Sequence, residues 1–419
     1  MKILFYHNTI KKHEVVSANV HIIEVLNNLT KLGHIIRYAN GKQHSFTLHS
    51  PDEGISPSPL RISYWEKVKR FIWTLPFRGE ALISLYFINE IRLILSAFIT
   101  ILRFRPDIIY RRHTIFNSEI FLSKIFRIPC VRETNSLVGD EFKFMKKGDA
   151  FSQWLTNVIE KIDFRIADKY VAVTESLRDT LLNNFNVPVG KITVIENGVN
   201  TDLFKPMDEA IVQKELNLDI SSRYICFVGG LAEYHGVKYF ISAMPYILKE
   251  HPEARALIIG ESQMRTRLVK NELIGLSNQL GVFNMVKLTG RVPYEKVPWY
   301  INASEICVIP SWWSGQNQRI GLSSLKLCEY LACGKPVIAS RISGFEFIEE
   351  IDCGYLVKPA SKEELALAII RLLNDPASED RMGKNGRKYV VENRSWESVA
   401  KKVASVCDST LENHNTHNR

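Results

Sequence analysis

Two parallel α/β domains in tandem are what this chain predicts, and three observations carry that prediction. Short apolar runs alternate with amphipathic stretches, in two series, along the 419 residues. Glycines close several of the apolar runs in the second series. The composition, 46% hydrophobic and 24% charged, is that of an ordinary globular protein and excludes wholesale disorder and fibrous architectures. At about 100–200 residues per domain the length asks for at least two, each large enough to bury its own core. Alternating strands and helices imply parallel sheets covered on both faces.

The first series opens with strand Lys2–Tyr6 (KILFY), followed by an amphipathic helix Ser17–Leu32 that stops at Gly33 and a strand Ile35–Ala39. Residues 40–60 are rich in Ser, Pro, His and Gly and read as an irregular loop. Helical stretches follow at Ser63–Trp73 and Gly79–Phe104. Next come strand Asp107–Tyr110, helix Phe116–Phe126, strand Cys130–Glu133 and helix Phe151–Ala167. Strand Tyr170–Val173, helix Leu177–Asn184 and strand Ile192–Ile195 close the series.

The second series runs through strand Tyr224–Val228, a helix from Val237, strand Ala256–Ile259, helix Arg265–Leu280 and strand Val286–Leu288. A short helix near Lys296–Ile301, strand Ile306–Ile309, a polar loop, helix Ser324–Leu331 and strand Val337–Ala339 continue it. Helices at Lys362–Leu373, Glu379–Glu392 and Trp396–Cys407 complete the chain. The expected organisation is an N-terminal domain over 1–197, a linker over 198–222 and a second domain over 223–395. A helix over 396–411 would pack back toward the first domain, with a frayed tail over 412–419.

The formal charge of +9 is uneven. Residues 1–200 hold 27 basic and 19 acidic side chains, the remainder 27 and 26. Within 61–112 there are ten basic and four acidic. Such a region suits nucleic acid, an anionic membrane or a phosphorylated substrate. The seven cysteines, in apolar runs and without a CxxC pair, predict reduced buried thiols, neither disulfides nor a zinc site. The N-terminus lacks the long apolar core of a signal peptide, and a cytoplasmic protein is expected. The apolar stretch Ala81–Leu102 is interrupted by Glu90 and Arg92. A buried or surface-lying helix is the expectation there, because each charge costs roughly 2.5–3.5 kcal/mol in a membrane span.

Two motifs carry chemistry. In FVGGLAEYHGVKYF (227–240) a strand ends in Gly229–Gly230 and a helix begins after Gly236. Glycines admit close approach of a ligand to the backbone, and a helix N-terminus offers amides and a positive dipole end to a phosphate. In LSSLKLCEYLACGKPVIAS (322–340), Ser323 or Ser324 can cap a helix whose first turn presents amides near the Lys326 cation. Glu329, one turn further in, can accept both hydroxyls of a ribose. A ligand-free strand–helix turn and a solvated helix face are the competing readings of these segments.

Together and in this order the motifs resemble the retaining glycosyltransferases of the GT-B class, family 4 (glycosyl transferases group 1). The segment 171–206 looks like that family's last N-domain strands and linker. KLTGRVPYEKVPWYINASEICVIPS (287–311), with Gly290, Arg291 and Val292, resembles its base-reading segment. EYLACGKPVIAS (329–340) is similar to its donor-helix signature. IIYRR and IPCVRETN within 108–135 resemble a subset that builds surface polysaccharides. The resemblance implies two Rossmann-like domains facing across a cleft and transfer of a sugar from a UDP- or GDP-sugar with retention of configuration. It implies a glycan or lipid-linked acceptor, and no cofactor: the nucleotide-sugar is a substrate, and no DxD metal motif occurs. Donor-side residues would be Gly229, Gly230, Gly260, Gly290, Arg291, Val292, Ser324, Leu325 and Glu329. Catalytic candidates are His235, Lys326, Asn135 and Glu133, with Arg112 and His113 on the acceptor side.

Three positions depart from the family pattern. Gly230 and His235 stand where Arg and Lys are usual, which leaves a titratable group for the diphosphate; a neutral His235 can still donate a hydrogen bond, and it would be charged near a diphosphate. Gly321 replaces the earlier of two glutamates. Asn135 replaces a histidine and can hydrogen-bond the transferred sugar without acting as acid or base. A strand-end cap for Asn135, an ion-paired carboxylate for Glu133 and a surface basic patch for Arg112 and His113 remain open. Trp312 and Trp313 line either the sugar pocket or the core. The basic, aromatic stretch over 61–105 has the make-up of an interfacial helix that docks on an anionic inner membrane face, or of a solvated face over the core. A non-catalytic relative and a sugar-nucleotide epimerase of the same architecture are the rival functions. Nucleic acid is excluded as a partner for lack of a binding module.

Overall fold

The computed structural model describes residues 1–6, 17–39, 46–48, 94–95, 97–112, 118–137, 150–261, 267–312 and 320–417. They form two compact units, one of Met1–Glu196 with Val399–Arg419 and one of Asn197–Ser398.

The first unit holds a seven-stranded sheet, ordered β3-β2-β1-β4-β5-β6-β7. Its strands are β1 (Lys2–Tyr6), β2 (Ile35–Ala39), β3 (Phe46–Leu48), β4 (Ile108–Arg112), β5 (Cys130–Thr134), β6 (Lys169–Ala172) and β7 (Ile192–Val194). All pairings are parallel except β2 with β3. The central strands β4 and β5 are buried at every residue. Helix Glu175–Phe185 starts at Thr174, whose hydroxyl accepts from Leu177 N at 3.0 Å, and stops at Asn186 in the left-handed region.

The second unit has a six-stranded parallel sheet, ordered β10-β9-β8-β11-β12-β13. Its strands are β8 (Arg223–Val228), β9 (Ala254–Ile259), β10 (Val286–Gly290), β11 (Ile306–Ile309), β12 (Val337–Ser340) and β13 (Gly354–Val357). Alternate residues of β8 enter separate apolar clusters: Tyr224, Cys226 and Val228 one, Ile225 and Phe227 the other. A strand covered on both faces has no polar side to show, so it reads as an unbroken apolar run. Ser361 and Asp375 cap helices Lys362–Leu373 and Pro376–Asn393 through side-chain acceptors.

Several expectations are corrected. The stretch 40–60 is not wholly irregular, because Phe46–Leu48 pairs antiparallel with β2. The expected linker 198–222 is built into the second unit. Phe204 and Val212 are fully or almost fully buried there, Asp208 caps helix Glu209–Glu215, and Asn302 bonds Lys205 O and Met207 N. Its Gly and Pro signals are real, but they punctuate a packed segment. Strand β13 escaped prediction because GYLV is short and flanked by no long apolar run. The last helix runs from Trp396 to His417, past the expected end, supported by Thr410 bonding Val406 O and His414 Nε2 at 3.0 Å from Arg127 O. All seven cysteines are buried and unpaired with one another. Of the stretch 61–105, only 94–95 and 97–105 fall within the described residues, and 97–104 is helical. No helix among the described residues is long and apolar enough to cross a membrane.

Candidate functional site

In a parallel α/β sheet, ligands gather beyond the carboxyl ends of the strands. At that edge of the second unit, three predicted glycines stand side by side. Gly229 N donates to Ile259 O at 2.9 Å, and Gly260 N donates to Gly290 O at 2.9 Å. Gly260 has φ +141°, and a Cβ there would lie 1.9 Å from Gly229 O. The backbones at the ends of β8 and β9 are therefore as close as two chains allow. Past Gly229 and Gly230 the chain makes a short 3-10 turn, Glu233–His235, and enters helix Val237–Glu250 at Gly236, which has no capping side chain. Tyr239 N donates to Gly236 O at 2.9 Å, and among the described residues no side chain caps the amides of Val237 and Lys238.

Helix Leu325–Ala332 faces the same corner. Ser324 is its cap, its hydroxyl accepting from Leu327 N at 3.3 Å, so of the two serines it is Ser324 that caps, while Ser323 Oγ accepts from Asn197 N at 2.9 Å. Leu325 opens the helix, partly buried. The Lys326 ammonium lies over Gly229, 2.7 Å from where a Cβ would stand. It is 4.6 Å from the Phe227 ring centroid and 3.4 Å from His235 Nδ1. Burial lowers the Lys326 pKa to about 8, with Glu329 opposing. Burial, and then Lys326, push His235 well below its ordinary value. His235 is consequently neutral beside the lysine at neutral pH. Glu329 is 7% exposed, and burial lifts its carboxyl to about 7 against the Tyr294 hydrogen bond and Lys326. Tyr294 Oη donates to Glu329 Oε1 at 3.0 Å.

Arg291 is exposed to solvent, whereas Val292 packs partly against the core. Sequence reasoning missed Tyr294 and Tyr330. The latter accepts from Val228 N at 2.6 Å and ties this helix to the end of β8. An aromatic four residues past Gly290 was the available signal for Tyr294; nothing local marked Tyr330. The indole Nε1 of Trp312 is buried without a partner among the described residues, and Trp313 lies outside them.

The first unit carries a second polar cluster. Arg112 at the end of β4 is the register partner of Glu133 on β5, with Arg112 Nε 3.5 Å from Glu133 Oε1. Tyr110 Oη donates to Glu133 Oε2 at 2.7 Å, and His21 Nε2 lies 3.0 Å from Oε1. Burial alone would raise the Glu133 carboxyl; His21, Arg112 and Tyr110 together hold it far below the usual carboxylate range. Arg112 is only 8% exposed, which corrects its reading as part of a surface patch. Glu133 is 1% exposed, an ion-paired carboxylate. His21 and Tyr110 had no sequence signal, because they reach Glu133 from 112 and 23 residues away. Asn135 follows β5, its Oδ1 buried without a partner among the described residues. His113 lies outside the described residues.

Two Rossmann-like units in tandem, with a glycine edge, an open helix start and basic side chains meeting over it, define the GT-B class of protein. The family follows from the sequence. Residues 18–203 match the model described as Glycosyltransferase Family 4, and residues 208–389 match Glycosyl transferases group 1. Between them the two matches take in most of the chain, which belongs to this family of glycosyltransferase enzymes. It is 30% identical over 247 residues to an uncharacterized glycosyltransferase of Methanocaldococcus jannaschii, spanning 58% of this chain and 60% of that relative. It is 24% identical over 318 residues to a D-inositol 3-phosphate glycosyltransferase of Thermobispora bispora, covering 74% and 72%. Sucrose-phosphate synthase from Thermosynechococcus elongatus shares the fold at 20% identity, with TM-score 0.73 over 98% of this chain and 99% of that one. Anabaena HepE in complex with UDP does so at 17% identity, with TM-score 0.71 over 98% and 100%.

Proposed function

We propose that the protein moves a sugar from a UDP- or GDP-sugar, with retention of anomeric configuration, to a glycan or lipid-linked acceptor in cell-surface polysaccharide biosynthesis. The observation that carries this reading is the meeting of Lys326 and His235 over Gly229, beside a helix start capped by Ser324. That corner has the charge, the open amides and the close backbone that a diphosphate needs. That HepE, which shares the fold, was solved with UDP is in keeping with a nucleotide ligand.

In the mechanism that fits, the acceptor oxygen bonds to the anomeric carbon on the face from which the diphosphate departs. The bond from that carbon to the phosphate oxygen breaks, and a diphosphate oxygen takes the hydroxyl proton. Lys326, His235 and the amides near Gly230, Ser324 and Leu325 stabilise the negative charge that grows on the leaving group, with no metal required. Glu329 binds the ribose, and Gly290, Arg291 and Val292 lie toward the base, Arg291 through its backbone. Asn135 meets the transferred sugar, and Arg112 supports the acceptor side through Glu133.

A peripheral contact with an anionic inner membrane face through 61–105 completes the reading. At the described end of that stretch, Leu95, Phe98, Ile99 and Leu102 are exposed, with Arg103 and Arg105 exposed beside them. An apolar face edged by cations suits an interfacial helix.

The test is a thermal-shift panel of UDP- and GDP-sugars, followed by product analysis with a defined acceptor. A native-state ligand raises the melting temperature. If no nucleotide does so, the donor site is lost; if bound donor yields no glycoside, the catalytic reading is lost. Binding to anionic liposomes at low salt tests the membrane contact separately, and protein that stays unbound there sinks it.

A further inference from the structure

We infer that Tyr294 is a positioning residue for the ribose end of the nucleotide: its phenol holds one oxygen of Glu329 and leaves the other for the vicinal hydroxyls of a ribonucleoside diphosphate. The inference rests on the nucleotide reading of this corner and adds a residue to it.

Tyr294 starts a one-turn 3-10 segment, Tyr294–Lys296, directly after Pro293. The same loop carries Gly290 at the end of β10. Its ring packs 5.4 Å, centroid to centroid, from Phe204, which is fully buried. The direction of the phenol is therefore set by the core and not by the loop alone. From there the hydroxyl donates to Glu329 Oε1 at 3.0 Å.

Glu329 has two cationic or donor neighbours with different uses. Lys326 lies three residues earlier on the same helix, a spacing that puts side chains on one face. A carboxylate left to itself would swing toward that ammonium and neutralise the cation that faces His235 and Gly229. The phenol competes for the carboxylate and keeps the two charges on separate tasks. In its ionised form, which prevails above about pH 7, the carboxylate offers about four acceptor sites. With one engaged by Tyr294, enough remain to take both hydroxyls of a ribose. A deoxyribose offers only one.

The experiment uses the full chain and measures binding of UDP, 2′-deoxy-UDP, GDP and 2′-deoxy-GDP by calorimetry. Tyr294→Phe keeps the ring on Phe204 and removes only the hydroxyl. For whichever base binds, it should weaken the ribonucleotide about five- to tenfold, the net size of one ordinary hydrogen bond. It should leave the deoxynucleotide within about twofold, so discrimination between the two collapses. Glu329→Gln should collapse it as well. Equal loss for both sugars would make Tyr294 a packing residue and overturn the assignment. So would unchanged ribonucleotide affinity. Failure of the unaltered protein to bind any of the four would instead overturn the nucleotide reading itself.

Discussion

The polar cluster around Glu133 and the corner around Lys326 contain similar side chains and differ in how their charges are balanced. In the first unit, a carboxylate is enclosed by His21, Tyr110 and Arg112 among the described residues. In the second unit, an ammonium meets an imidazole at 3.4 Å, and burial and the ammonium discourage protonation of the imidazole. A buried ion pair that is satisfied is architecture. A buried ammonium beside a neutral imidazole, at a strand end with a helix start nearby, has room for a further anion. The contrast separates a carboxylate paired within its own domain from a corner that, on the proposed reading, receives charge.

The largest effect expected from breaking this contrast is on the closed side. Glu133→Ala leaves Arg112 buried without its carboxylate, and should cost about 3–5 kcal/mol of unfolding free energy near neutral pH. Denaturant melts check this. The folded-state pKa of Glu133 is depressed, so its contribution is present above about 4.5 and fades as pH falls below that value. The unaltered and altered proteins should therefore converge in acid. A large gap at low pH would mean that Glu133 acts through packing.

On the open side, Lys326→Ala should lower turnover by at least about tenfold with little loss of stability, because removing a cation from a leaving group acts on the transition state. Glu329→Ala should reduce kcat/KM by at least about tenfold, mainly through donor affinity. Steady-state rates with a defined acceptor decide, and full rates in both variants would remove the corner from the mechanism.

A smaller effect is pH-linked. His235 is held neutral by burial and by Lys326. A bound diphosphate opposes the second cause, so binding raises the histidine's pKa and takes up a proton. Nucleotide affinity should then rise a few-fold as pH falls from about 8 to about 6. His235→Gln should flatten that slope. Comparing the two proteins cancels the nucleotide's own titration, and identical slopes would show that His235 plays no part. The smallest effect is expected at Arg291, whose side chain is in solvent. Arg291→Ala should change donor affinity by less than about twofold; a larger loss would bring that side chain into the site.

Much of the fold was legible because it follows from short-range rules. Ile306–Ile309 and Val337–Ser340 read as strands since both of their faces are covered. A cap at Ser323 or Ser324 was legible because a short hydroxyl before an apolar helix has a donor to satisfy, and the structure selects Ser324. What stayed hidden was short or distant. Phe46–Leu48 is three residues long, and the segment around Phe204 and Val212 looks like a linker until Asn302 is seen bonding it. Among the site residues, Gly229, Gly260 and Gly290 were visible individually, but not their alignment across three strand ends. Tyr294, Tyr330, His21 and Tyr110 were invisible, because a hydroxyl or imidazole carries no local mark of the partner it will meet.

By itself the sequence determined two parallel α/β units, the family, the individual strand-end glycines and a helix capped by one of two serines. Apolar runs, glycines and caps obey energetics that act within a few residues, so they can be read in order. Only the tertiary structure decided that Glu133 is closed in and that His235 and Lys326 confront one another. Only it set Arg112 in the interior and hung the Glu329 carboxyl on Tyr294. Charge pairing and burial depend on distances between groups tens of residues apart in the chain. A pKa is the sum of those distances, and no window of sequence contains them.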